Sequence, residues 1–182
     1  MKQSILHLCI LLSLTLVAAC ANSEEPGKIT KFLVAPQKLS PEKISVDFDG
    51  DGATDQILVT GLKGSTAELL KNIVLIHPWE FDEKRTNTAN LAAGSKNSFY
   101  IILSSTKCAY IVNDANPISI LDTDAARDLF AVKKNEILEM GLDEISGKIR
   151  GDLIGIPTEA GIDTYLYWNG NTFISYEPLE MP

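Results

Sequence analysis

The chain has little of the side chains on which most enzyme chemistry and most small-domain stabilisation depend. Of its 182 residues two are histidine, three are cysteine and two are tryptophan. His7 lies in an apolar leader, so His77 is the one imidazole of the remainder. That excludes a multi-histidine zinc site and reduces histidine acid–base catalysis to a single residue; the expected place for His77 is a strand end or a loop. No Gly-x-Ser-x-Gly turn is present to raise a nucleophilic serine, and no phosphate-cradling glycine loop. Positive charge is also short, with 16 Lys and Arg against 24 Asp and Glu and a formal net charge of −8. Such a surface repels nucleic acid and anionic head groups and suits cations or a basic protein partner. No internal repeat recurs at propeller or solenoid spacing.

What is present begins at the first residue. Met1, Lys2 and Gln3 precede a nearly unbroken apolar run over residues 5–17, which exits on Ala18 and Ala19 before Cys20. A basic start, an apolar core of this length and a small-residue exit form a secretory signal, too short to span a bilayer comfortably. The segment Leu16-Val17-Ala18-Ala19-Cys20 resembles the lipobox of bacterial lipoproteins. The resemblance implies cleavage of residues 1–19, acylation of Cys20 as the first mature residue, and attachment to a membrane of the cell envelope. Ala21, where inner-membrane retention in enterobacteria uses Asp, favours the outer membrane facing the periplasm. The small, polar, turn-prone residues that follow make 20–28 a flexible tether, leaving 29–182 as one globular domain, a length that suits a single core.

The cysteines divide by fate. Cys9 leaves with the leader and Cys20 takes the lipid. Cys108, in the run Cys108-Ala109-Tyr110-Ile111-Val112, is expected to be buried as a small hydrophobe, and the mature chain is expected to hold no internal disulfide.

Short runs rich in Ile, Val, Phe and Tyr, bounded by Gly, Pro, Asn and Asp, read as strands over residues 44–48, 56–60, 72–77, 99–104, 108–113, 129–132, 148–156, 164–168 and 172–176. The last two flank Asn169-Gly170, which predicts a hairpin with a tight type I′ turn and aromatic pairing across it. Helix signals are fewer. Ser65 stands three residues before Glu68 as a capping pattern, and residues 122–128 could start a second helix. Residues 78–98 lack a sustained period and read as a long surface loop. The expected fold is α+β and mostly β: antiparallel strands and hairpins with one or two short helices, and not a full propeller. Trp79, Phe81 and Trp168 are expected as core or loop anchors.

One segment carries chemistry. Asp47-Phe48-Asp49-Gly50-Asp51-Gly52-Ala53-Thr54-Asp55 places carboxylates at loop positions 1, 3, 5 and 9, with glycine at position 6. Calcium takes six to eight hard oxygen ligands, and alternate residues of a tightly turning loop can aim oxygens at one centre. An EF-hand would need a bidentate Glu at position 12, where Leu58 stands, and would be flanked by helices. The segment instead resembles the Asp-x-Asp-Gly-Asp-Gly-x-x-Asp loops of FG-GAP and VCBS-type repeats, in which strands bracket the loop. On that resemblance Asp47, Asp49, Asp51, Asp55 and the Ala53 carbonyl are the calcium ligands. The match covers about twenty residues in one copy, whereas those families build propellers of about 4 to 8 blades, so neither fold nor activity carries over.

The leading expectation is a non-enzymatic, membrane-tethered binding or structural module stapled by calcium. Two other classes fit the same sequence. An inhibitor or immunity-type lipoprotein would use the acidic surface and the 78–98 loop against a basic periplasmic partner. A carboxylate-dependent hydrolase would need an enclosed pocket with two acidic side chains away from the 47–55 loop.

Overall fold

A computed structural model of the chain describes residues 26–38, 44–72, 75–76, 98–113, 129–157 and 163–178. The chain enters through a helical turn, α1 (Pro26–Ile29), and a 3-10 turn, Thr30–Phe32, leading into β1 (Leu33–Lys38). Pro26, Gly27 and Lys28 of the expected tether are helical, and Ile29, the first residue of the expected domain, is buried. There follow β2 (Gln56–Leu62), α2 (Thr66–Asn72), β3 (Leu75–Ile76), β4 (Ser98–Ile102), β5 (Ala109–Asn113) and β6 (Phe130–Val132). The last third holds a 3-10 turn at Lys134–Glu136, α3 (Asp143–Ser146), β7 (Leu153–Ile156), β8 (Thr164–Trp168) and β9 (Phe173–Tyr176). The protein is thus α+β and mostly β, as the residue pattern indicates. Among the described residues no helix is long and apolar enough to cross a membrane.

The strands form two open sheets, one ordered β1-β2-β4-β5-β3 and the other β6-β7-β8-β9. All neighbours are antiparallel except β3, which runs parallel to β5 through Leu75↔Ile111 and Ile76↔Val112. The expectation of antiparallel pairing throughout is corrected here, and the cause is local. A helix, not a hairpin turn, separates β2 from β3, and a helical crossover lets β3 run in the same direction as β2, and so as β5. Ser65 starts that helix, its Oγ accepting the Glu68 N–H at 3.2 Å.

Strict alternation of apolar and polar residues is missing from the strands because both faces of each sheet are covered. Ile57, Val59, Phe99, Ile101, Tyr110 and Val112 of the first sheet meet Ile154, Ile156, Leu166, Trp168 and Phe173 of the second in one central core. The alternate residues Leu62, Tyr100, Ala109 and Ile111 pack outward beneath Ile29, Phe32 and Leu69. On the second sheet Val132, Leu153, Tyr165, Tyr167 and Tyr176 turn outward against Ile137, Leu142, Ile145 and Ile149.

Two strand expectations and one turn expectation are corrected. Residues 44–48 form no strand, because the backbone of Asp47 and Phe48 bonds to carboxylates instead. In place of a strand over 148–156, only Leu153–Ile156 pair, and the residues before them turn toward the acidic loop. The closing hairpin forms with Trp168 opposite Phe173, rings 4.9 Å apart, but its turn is not type I′. Gly170 has positive φ and Asn169 does not; the Asn169 Oδ1 accepts the N–H groups of Asn171 and Thr172 at 2.8 and 2.9 Å. An Asn side chain that caps the turn itself makes a second left-handed residue unnecessary. The expected helix at 122–128, the loop at 78–98, and His77, Trp79 and Phe81 lie outside the described residues.

Tyr100 occupies the middle of the outer cluster at 2 % exposure, and its hydroxyl is buried with no hydrogen-bond partner among the described residues. Burial also raises its pKa. A buried hydroxyl that makes no bond is costly to the fold. Tyr100→Phe is therefore expected to raise the unfolding free energy by about 1 kcal/mol, read as a higher urea midpoint at unchanged slope. A lowered midpoint would show that the hydroxyl is bonded after all.

Candidate metal centre

The acidic loop occupies the gap between the sheets. Its entry and exit are closed by one backbone bond, Asp55 N–H to the Val46 carbonyl at 2.8 Å. Gly50 and Gly52 take φ of 75° and 90°, the left-handed region open to glycine at little cost. Phe48, at position 2, drives the loop into the core: it is fully buried, with its ring edge-on to Phe173 at 5.1 Å.

Inside the loop Asp47 acts as the organising anion. Its Oδ1 accepts the N–H of Gly50 at 2.8 Å and of Asp51 at 3.1 Å, and its Oδ2 accepts the N–H of Gly52 at 2.8 Å. Asp55 is the buried member at 6 % exposure. Its Oδ2 accepts the Phe48 N–H at 2.8 Å, and its Oδ1 accepts the Ser104 N–H at 2.6 Å. Asp49 turns inward beside them, with Ser105 donating its hydroxyl to Asp49 Oδ2.

Oxygens of Asp47, Asp49 and Asp55 all lie within 4.8 Å of one another. Two oxygens sharing one calcium at about 2.3 to 2.6 Å are separated by at most about 5 Å. The three carboxylates therefore fit a single coordination shell, and the donor set is hard oxygen throughout. The group could hold a metal ion. Asp51 stands apart from this cluster: its carboxylate accepts the Ala53 N–H at 2.8 Å and lies 3.0 Å, through both oxygens, from the Ser104 hydroxyl. The Ala53 carbonyl is 3.4 Å from that same hydroxyl. Of the five expected ligands, three are brought together, and two face the β4–β5 turn.

Several residues of the site leave no mark in the sequence. Ser104 and Ser105 sit about fifty positions downstream in an ordinary-looking Ser-Ser-Thr turn, and only the pairing of β2 with β4 carries them to the loop. Asp152 and Lys133 come from the second sheet. Asp152 N–H donates to the Asp47 carbonyl at 2.6 Å, and Asp152 Oδ2 accepts the Asp47 N–H at 3.1 Å. Gly151 permits this approach, since a Cβ there would stand 1.9 Å from the Asp47 carbonyl oxygen.

Cys108 closes the β4–β5 turn and is buried at 2 % exposure, as expected. It is also disulfide-bonded; the expectation of no internal disulfide concerns the mature chain. The bridge belongs to the whole 182-residue chain: cleavage before Cys20 would remove Cys9, and acylation would occupy Cys20.

No family model matches the chain, and neither a curated protein nor a solved structure matches it. The centre stands on its own geometry.

That geometry has an electrostatic consequence. Burial pushes the Asp55 carboxyl from 3.8 up to about 6, the backbone N–H groups of Ser104 and Phe48 offset part of this, and the charge of Asp49 adds to it. A carboxyl raised on folding favours the native state where it is protonated. In chelator, its contribution to stability is full below pH about 4 and is lost as pH rises through about 6. Urea midpoints in chelator should accordingly fall between pH 5 and 7, and that fall should shrink in Asp55→Asn. An identical pH dependence in the variant would show that Asp55 does not titrate in this window.

Proposed function

We propose that the protein is an envelope lipoprotein, tethered through lipid on Cys20, whose domain is a non-enzymatic binding or structural module stapled by calcium at the 47–55 loop. The observation that carries the reading is the convergence of Asp47, Asp49 and Asp55 oxygens within one coordination shell. Three further features support it. Asp47 and Asp55 each have both carboxylate oxygens engaged by backbone N–H groups, which suits a fixed scaffold for a cation better than a general acid or base that must exchange protons. The loop touches both sheets, so an ion bound there would tie them together. The formal charge of −8 favours a cation over an anionic ligand.

Calcium would act as a ligand of the native state alone, and such a ligand raises stability with the logarithm of its concentration relative to the dissociation constant. Extracellular calcium modules bind with affinities of about 10⁻⁴ to 10⁻³ M. At about one hundred times the dissociation constant the gain is about 2.7 kcal/mol, which for a domain of this size raises Tm by roughly 5 to 11 °C. Full-length protein in detergent should show this rise in calcium relative to chelator, and Asp49→Ala should remove most of it. Equal midpoints in calcium and chelator for the wild type would overturn the calcium reading.

The anchor is tested separately. In cells fed an alkyne fatty acid, the wild type should become labelled and partition with membranes, while Cys20→Ser should be unlabelled. Equal labelling of the two chains, or none in either, would refute lipid attachment at Cys20.

A further inference from the structure

The Asp47 end of the loop is held by residues that are not ligands. Asp152 grips the Asp47 backbone at both polar atoms, accepting its N–H on Oδ2 at 3.1 Å and donating its own N–H to the Asp47 carbonyl at 2.6 Å. The carboxylate of Asp152 is itself fixed. Its Oδ1 accepts the Lys134 N–H at 3.1 Å, and its Oδ2 accepts the Lys133 ammonium at 2.7 Å. Lys133 Nζ reaches in addition to the Ser45 carbonyl at 2.7 Å, two residues before Asp47. Asp152 is nearly closed off from water, with 12 % of its side chain exposed against 45 % for Lys133. An ion pair at this depth, with its remaining hydrogen-bonding positions filled, holds one geometry far better than a surface pair.

We propose that Lys133 and Asp152 are positioning residues for the cation: they fix the backbone of Asp47 so that its carboxylate meets those of Asp49 and Asp55. The inference rests on the calcium reading of the loop. Asp47 has the most to lose from a slack backbone, because its two oxygens already order three loop N–H groups. A shift at its Cα would move the first ligand and the turn of the loop together. Partners in the outer shell of metal sites act in this way, and their loss commonly weakens binding by about 10- to 100-fold.

Lys133 allows a test in which two explanations differ in sign. By charge alone, removing a cation beside three carboxylates makes the site more negative and should tighten calcium binding. Positioning predicts the reverse. Calcium titration by calorimetry of the full-length chain in detergent should therefore find Lys133→Met about 10-fold weaker than wild type. Lys133→Arg should recover most of the affinity, because it keeps a donor for both Asp152 and Ser45. The double variant Lys133→Met with Asp152→Asn should be no weaker than Asp152→Asn alone, since the two residues act through one contact. Melting in chelator shows whether each variant is folded, and Lys133→Gln, which also removes the charge and is too short to reach both Asp152 and Ser45, carries the test if Lys133→Met is not. In that case weaker binding by Lys133→Gln than by wild type supports positioning, and unchanged or tighter binding refutes it. Unchanged or tighter binding in folded Lys133→Met overturns the positioning role and leaves the calcium site standing. Absence of calcium binding in the wild type overturns both together.

Discussion

Asp47, in the loop that leads into β2, and Asp152, just before β7, meet through two bonds, one from each backbone N–H, at a distance only glycine at 151 allows. Most of the particular features of this protein follow from that contact. It diverts residues 44–48 from strand pairing, because the groups that would bond to a neighbouring strand bond to carboxylates instead. It also takes the Asp152 N–H, which bonds to the Asp47 carbonyl, while Arg150 N–H still reaches the Trp168 carbonyl of β8 at 3.0 Å. It further holds the acidic loop against the core that Phe48 enters beside Phe173, Trp168 and Tyr110.

The loop is then braced on its other side by the β4–β5 turn. Asp55 accepts the Ser104 N–H, Ser105 donates to Asp49, and Ser104 faces Asp51. A segment tied to both sheets in this way resembles a keystone more than a flexible sensor. Close carboxylates repel one another at short range, and the Asp55 carboxyl, raised above all by burial, is raised further by the charge of Asp49. Protons and divalent cations are the two means of relieving that repulsion.

How much of this could be read before folding depends on whether the signal is local. The spacing of Asp47, Asp49, Asp51 and Asp55, with glycines between them, is contained in nine consecutive residues, and so is the turn they build. Ser65 three residues ahead of Glu68 is local, and the helix starts there. The Asn169-Gly170 hairpin was legible as a hairpin, but the turn type was not, because the Asn169 side chain takes over the capping that a second left-handed residue would supply. The mostly-β class follows from the aromatic and β-branched runs. By contrast, the parallel placement of β3, the roles of Ser104, Ser105, Lys133 and Asp152, and the exclusion of Asp51 from the carboxylate cluster are long-range facts. They depend on which strands pair and on which sheet faces the loop. No residue spacing within the loop distinguishes Asp51 from Asp49; a serine some fifty positions away does.

The central claim is that three carboxylates from one loop share a divalent cation between the sheets. The most direct measurement is anomalous scattering from crystals grown with a lanthanide in place of calcium. The account predicts one strong peak about 2.3 to 2.6 Å from oxygens of Asp47, Asp49 and Asp55. A loop ordered as described but without a peak there, or with the ion bound elsewhere in the molecule, would contradict it.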